Sequence, residues 1–265
     1  MIFASDLDRT LIYSNRAIAS VGSRETATLK PVERMGSRWA AYMSDGAFSA
    51  LKELAQSSLF IPVTTRTTEQ YNRIIIFGQD IPVKYAITSN GARILVNGNP
   101  MDEWTNCISK SLEESLPPAE FLSAITRSGL EWKGEWKQAE DLFLYSILAE
   151  ILPESTLKQI AAVAQASGWR ISLQGRKLYF IPKAINKGDA LEFICRLEGQ
   201  KAMAGAGDSR LDLDFLTHCQ LGFVPKHGEI AKEDLDPSLT VTNQSGIKAG
   251  EEILQQFLKL LPLAI

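Results

Sequence analysis

Four polar clusters hold most of the side chains in this 265-residue chain that could do chemistry, and each follows a short apolar run. They are Asp6-Leu7-Asp8-Arg9-Thr10, Thr64-Thr65-Arg66, Asn90-Gly91 and Gly207-Asp208-Ser209-Arg210-Leu211-Asp212, while Lys187 opens a helical stretch between the last two. Asp6 and Asp8 share one side of an extended segment, because side chains in a strand repeat with period two. Asp208 adds a third carboxylate, and three such groups repel one another unless a cation sits among them. Oxygen-only ligands with a partly open shell suit Mg²⁺. Lys187 is a point charge fit for a phosphoryl oxygen, and the Thr64 hydroxyl can donate to another. That inventory matches phosphoryl transfer, where positioning and charge neutralisation supply most of the catalysis. A carboxylate nucleophile splits hydrolysis into two easier steps. A second acid, Asp8, can protonate the departing alcohol and later deprotonate water.

The elements that must position these residues read as a parallel α/β pattern. Ile2-Phe3-Ala4, Leu59–Val63 and Tyr85–Thr88 are short apolar strands, with helices expected over 45–57 (Ser44 as N-cap) and 67–77. The pattern resumes with a helix over 187–197, strands at Lys201–Ala206 and Gln220–Val224, and a last helix over about 246–260. Strands of a parallel sheet share one C-terminal edge, so all four clusters converge there. Residues 13–43 are irregular and suggest a flap or small hairpin, a second element facing the substrate. From 95 to 181 the texture changes to helices at Ala119–Ser128 and Pro153–Gly168 among alternating strands at Leu142–Leu148, Trp169–Leu173 and Lys177–Ile181. The expectation is a Rossmann-like core, 1–94 plus 182–265, carrying an inserted α+β cap, 95–181.

Composition bounds the function class. Twenty-eight basic residues against 31 acidic ones give a net charge of −3, so no domain-scale basic surface invites nucleic acid. Three scattered cysteines and two histidines give neither a disulfide framework nor a zinc cage. The N-terminal apolar run is broken at Ser5 and Asp6, and no stretch is long enough to span a bilayer, so a cytoplasmic protein without membrane partners is expected.

The clusters resemble the four motifs of the haloacid-dehalogenase superfamily. Asp6 to Ile12 is similar to motif one, Thr64 in Val63-Thr64-Thr65-Arg66 to motif two, Lys187-Gly188-Asp189-Ala190-Leu191 to motif three of the sugar-phosphatase branch, and Gly207 to Asp212 to motif four. Ser89-Asn90-Gly91-Ala92 resembles that branch's substrate loop, and the insert resembles the type-two cap of Cof-like, sucrose-phosphate and mannosylphosphoglycerate phosphatases. The resemblance implies Asp6 as nucleophile, Asp8 as acid/base, and Thr64 and Lys187 beside the phosphoryl group. It implies Mg²⁺ on the Asp6 carboxylate, the Asp8 main-chain carbonyl and Asp208, with Asp212 nearby. Arg9, Thr10, Thr65, Arg66, Asn90 and Gly91 are expected to contact a small phosphate ester, a sugar or polyol phosphate by analogy. Three departures stand out: Arg9 and Thr65 replace the Gly of many relatives, and Leu211 replaces a usual Asn.

Taken singly, each cluster has a bland reading as a turn, an N-cap or a helix start, and Arg9 and Arg66 could instead pair with acidic neighbours. Trp132, Trp136, Arg176 and Lys177 could bind a sugar phosphate or be core and solvated surface. A phosphomutase on the same scaffold and a non-catalytic regulatory protein are the alternatives to a phosphatase.

Overall fold

The run Ile2–Ser5 forms a strand buried along its whole length, and the chain is built outward from it. The computed structural model describes residues 1–21, 28–233 and 235–262. In chain order the elements are β1 (Ile2–Ser5), β2 (Tyr13–Ser14), α1 (Asn15–Val21), β3 (Leu29–Met35), β4 (Arg38–Ser44), α2 (Asp45–Ser57), β5 (Leu59–Pro62), α3 (Thr68–Tyr71), α4 (Ile76–Gln79), β6 (Tyr85–Thr88), β7 (Arg93–Val96), β8 (Asn99–Pro100) and α5 (Asp102–Ser111). There follow α6 (Pro118–Arg127), β9 (Gly134–Ala139), β10 (Phe143–Leu148), α7 (Glu154–Ala166), β11 (Trp169–Gln174), β12 (Lys177–Pro182), α8 (Lys187–Glu198), β13 (Ala202–Ala206), α9 (Leu213–Leu216), β14 (Cys219–Val224), β15 (Leu239–Val241) and α10 (Ile247–Lys259). They fall into two units, Met1–Met101 with Lys187–Ile265, and Asp102–Asn186.

The first unit holds a parallel sheet in the order β15-β14-β13-β1-β5. β6 continues the row through a parallel bridge from Val63 to Ile87 while pairing antiparallel with β7 and β8. Phe3, Phe60, Ala204 and Ala206 share a core with Leu51, Leu54, Ile253 and Phe257, so α2 and α10 cover one face of the sheet. The Phe3 and Phe257 rings meet at 5.1 Å. By strand alternation Gly205 points to the opposite face, where a Cβ would lie 3.2 Å from Phe215 and 3.1 Å from Leu216 of α9. Gly188 is required for a similar reason: a side chain there would run into the Asp214 carbonyl, where α8 packs on α9.

Ser44 caps α2 as its spacing suggests, accepting the Ala47 N–H. The single helix expected over 67–77 is instead two short pieces. Thr67 and Gln70 close a capping box at α3, but the chain then leaves the helix to pair with β3. Ile75 N–H donates to Val32 O at 3.0 Å and Arg34 N–H to Arg73 O at 2.9 Å, and Gly78 turns at φ +84°. Tertiary pairing has overridden a local helical pattern here. Within 13–43 the described residues form α1 and a three-stranded antiparallel sheet, β2-β4-β3; residues 22–27 of that stretch lie outside the description.

The second unit is an antiparallel sheet, β11-β12-β10-β9, with α6 and α7. Phe121 of α6 stacks on Trp169 at 4.4 Å and meets Phe180 at 5.5 Å. Trp132 and Trp136 lie against the same Phe180, at 5.9 and 5.0 Å, and the Trp132 indole N–H donates to Ser146 Oγ. Arg176 Nε donates to Leu148 O at 2.7 Å, and the Lys177 ammonium sits over Tyr145. These four side chains thus have packing or hydrogen-bonding roles inside their own sheet. No helix among the described residues is long and apolar enough to cross a membrane.

Candidate active site

β1 ends at Ser5, and the next residue, Asp6, donates its N–H to Ala206 O at the end of the neighbouring β13. The chain then folds over itself. The N–H groups of Thr10, Leu11 and Ile12 all reach Leu7 O, at 3.2, 2.9 and 2.8 Å. This turn forces Arg9 to φ +65°, which explains why glycine suits the position. His227 holds the strained residue. Its Nδ1 accepts the Gly246 N–H (2.9 Å), so Nε2 carries the proton and donates to Arg9 O at 2.9 Å. Burial, aided by the Arg9 charge, lowers the His227 pKa and keeps the ring neutral.

Asp6 points into a buried charge cluster. Lys187 Nζ donates to Asp6 Oδ1 at 2.9 Å and to Asp212 Oδ1 at 2.6 Å, and Thr10 Oγ1 donates to Asp6 Oδ2 at 3.2 Å. Carboxylate oxygens of Asp6, Asp208 and Asp212 all lie within 4.8 Å of one another. Three anions therefore face one buried ammonium, with Arg9 Nε adding a 3.3 Å contact to Asp208 from a side chain 43% exposed. Burial first, then the Asp212 charge, pushes the Asp208 carboxyl up to about 7, and the same two causes raise Asp6 well above the usual carboxylate range. Burial works against the Lys187 ammonium, but Asp212 and Asp6 outweigh it and raise its pKa.

These shifts predict a pH dependence. A carboxyl raised in the folded state binds a proton that the unfolded chain, near pKa ~3.9, has already lost. The stability this proton contributes is complete below about pH 4 and is lost as pH rises through Asp208's value of about 7. Metal-free protein is expected to lose stability over that window, on the order of 1 kcal/mol per pH unit. Urea unfolding at several pH values measures it, and a midpoint that rises steadily from pH 4 to 7 would contradict the cluster's electrostatics.

Asp212 differs from its two neighbours. Its Oδ2 accepts Asp208 N–H (3.0 Å), Ser209 N–H (2.9 Å) and the Ser209 hydroxyl (2.8 Å), and its Oδ1 takes Lys187. It organises the loop after β13, and Gly207 is needed there because a Cβ would strike the Asp212 side chain. Asp6 and Asp208 are the carboxylates better disposed to hold a cation. A divalent ion fits an all-oxygen, net-anionic donor set of this kind.

Thr64 is buried at the end of β5, and its Oγ1 accepts the Arg66 N–H at 3.1 Å, which leaves its own proton to donate. Thr65 is half-buried beside it. Asn90 donates its N–H to Thr64 O, and Ser89 donates to Arg66 O. Three successive residues, Ser89, Asn90 and Gly91, take positive φ, a strained turn packed against α8. Asp8 is 48% exposed, and both its oxygens are held by Arg66, through Nε at 2.7 Å and Nη2 at 2.8 Å. Arg66 also reaches Glu33 Oε1 at 2.8 Å and Oε2 at 2.9 Å. Burial would lower the Arg66 pKa, but its hydrogen bonds to Asp8 and Glu33 raise it. Glu33 was not marked by sequence: a lone glutamate in a polar hairpin carries no local signal. The same holds for His227, while Ser209 stood inside the Gly207 to Asp212 cluster without a role of its own.

No protein-family model matches the sequence, and no curated protein matches it. Solved structures do match over nearly the whole chain. The sucrose-phosphatase of Synechocystis sp. PCC6803, solved with sucrose and phosphate, superposes with a TM-score of 0.69 at 14% identity, covering 97% of each chain. A haloalkanoate-superfamily phosphatase from Bacteroides thetaiotaomicron gives 0.57 at 13% identity, over 97% of this chain and 94% of that one. A haloacid dehalogenase-like hydrolase from Bacillus subtilis gives 0.55 at 13%, over 97% and 91%. The chain has the fold of the haloacid-dehalogenase superfamily phosphatases.

Proposed function

We propose that this chain is a magnesium-dependent phosphatase for small phosphate monoesters, with Asp6 as nucleophile and Asp8 as acid/base. The observation that carries the reading is the Asp6 carboxylate, held by Lys187 and Thr10 and grouped with Asp208 at the C-terminal edge of a parallel sheet.

In the first step an Asp6 oxygen attacks phosphorus, and the P–O bond to the alcohol breaks while the departing alcohol oxygen takes a proton from Asp8. In the second, water gives a proton to Asp8 and attacks the same phosphorus, releasing phosphate and the free Asp6 carboxylate. Lys187 and the Thr64 hydroxyl neutralise and orient the phosphoryl oxygens. Asp6, the Asp8 main-chain carbonyl and Asp208 would hold Mg²⁺, with Asp212 nearby; the ion would offset the carboxylates' charge and that of the phosphoryl group. Arg9, Thr10, Thr65, Asn90 and Gly91 frame the substrate side.

In this reading 1–94 and 182–265 are the catalytic core, and the inserted 95–181 segment is a cap that selects the substrate. Likeness to a sucrose-phosphatase over 97% of both chains supports a sugar or polyol phosphate.

Phosphate release from a panel of sugar, polyol and nucleotide monophosphates, with and without Mg²⁺, tests the reading. Release that depends on the ion is expected for at least one ester. No release from any of them, with no binding of Mg²⁺ or a phosphate analogue, would overturn it.

A further inference from the structure

We infer that Glu33 is a positioning residue for this reaction: acting through Arg66, it fixes the Asp8 carboxylate where it can pass a proton to the leaving alcohol. The inference rests on the phosphatase reading and adds to it a residue from outside the four motif clusters.

The guanidinium of Arg66 has five N–H donors, and five contacts use them. Nε and one Nη2 donor take the two oxygens of Asp8 at 2.7 and 2.8 Å. The second Nη2 donor and one Nη1 donor take the two oxygens of Glu33, at 2.9 and 2.8 Å. The last faces Gln70 O at 3.5 Å. Arg66 therefore has no donor to spare for a substrate, and it bridges a buried carboxylate to a half-exposed one.

Glu33 can anchor that bridge because its backbone is pinned on both sides. The β3–β4 register shifts around it, with Pro31 opposite Tyr42, Glu33 opposite Ala41 and Arg34 opposite Trp39. This irregularity buries Val32 and Glu33 in succession, where a regular strand would alternate. The residues on either side of Glu33 are tied to the 73–75 segment by the Val32 O and Arg34 N–H hydrogen bonds, and Arg73 Nε stands 3.6 Å from Glu33 Oε1. An arginine paired only with a half-exposed aspartate would be held weakly, since exposed ion pairs restrain little. The second, buried carboxylate makes the fork rigid, and a proton donor works only when held within reach of its acceptor.

The test compares two esters in wild type, Glu33→Gln, Asp8→Asn and the double variant: the best alkyl phosphate of the panel and p-nitrophenyl phosphate, whose leaving group needs no proton. For Glu33→Gln, kcat/KM on the alkyl ester, which reports the steps through phosphoryl transfer to Asp6 and not the later attack of water, is expected to fall about 10- to 100-fold. On the nitrophenyl ester the fall is about threefold or less. In the Asp8→Asn background Glu33→Gln adds no further loss on the alkyl ester, because it acts through the missing group. If Glu33→Gln does not fold, Arg66→Lys, which keeps the charge and loses the fork, is expected to show the same contrast between esters. Equal losses of kcat/KM on both esters, or a loss that adds to that of Asp8→Asn, would overturn the inference and leave the phosphatase reading standing. A wild type inert on both esters would overturn the two together.

Discussion

Replacing Asp6 by Asn is expected to abolish phosphate release, by at least about 10⁴-fold, while raising the stability of the metal-free protein. Both effects follow from one feature. Asp6 is buried beside Asp212 and Asp208, and its carboxyl is held well above the usual range, chiefly by burial. Keeping it ionised at neutral pH therefore costs folding free energy, and asparagine removes the charge at constant shape. Its amide oxygen, placed where Oδ1 is now, can still accept the Lys187 hydrogen bond, and its NH2, placed where Oδ2 is now, can donate to the Thr10 hydroxyl. The amide cannot attack phosphorus. A site that holds strain for its chemistry gains stability when the chemistry is removed. Phosphate release and thermal unfolding of the same two proteins check this. Residual activity within tenfold of wild type, or a lower unfolding temperature, would contradict it.

Lys187→Met carries the second large effect, with the opposite sign in stability. Lys187 is fully buried and is the only cation touching either Asp6 or Asp212 in the described ion pairs. Methionine is a close match in length but leaves the carboxylates without their counter-charge. Breaking a buried pair from one side costs about 3–5 kcal/mol. Because Asp6 and Asp208 already have raised pKa values, the variant should recover stability as pH falls and they take up protons. Turnover is expected to drop about 10³-fold, through loss of charge stabilisation at the phosphoryl group. Urea unfolding at pH 5 and pH 8 together with an activity assay measures all three. A variant as stable and active as wild type at pH 8 would show that Lys187 does not sit at the centre of the cluster.

Some of this was legible in the sequence and some was not, for physical reasons. The strands β1, β5 and β13 are short apolar runs that give way within two residues to polar ones, so their positions, and Asp6, Thr64 and Asp208 at their C-terminal ends, could be read directly. Lys187 was legible as a helix start, and Ser44 as a cap. The break at 72–75 was not, because Ile74 and Ile75 leave the helix to pair with a hairpin about 40 residues earlier in the chain. β9 was missed because its residues are exposed and polar apart from Trp136 and Ala139. Arg66 could be read as a substrate ligand or as a partner for acidic residues; the structure shows it engaged with Asp8 and Glu33. The choice needed Glu33, whose place depends on long-range pairing that no local pattern encodes. The reading of Asp212 likewise needed geometry, since its sequence spacing from Asp208 fits a metal ligand and a loop-capping carboxylate equally well.

Whether Asp6 carries the phosphoryl group is decided by mass spectrometry of enzyme quenched in acid within its first turnover. The peptide Met1–Arg9 is expected to gain one phosphoryl group that hydroxylamine removes and that Asp6→Asn never acquires. Hydroxylamine separates an acyl phosphate on Asp6 from an ester on the adjacent Ser5. A wild type that turns over substrate while this peptide stays unmodified, or bears a hydroxylamine-stable phosphate, would contradict the account.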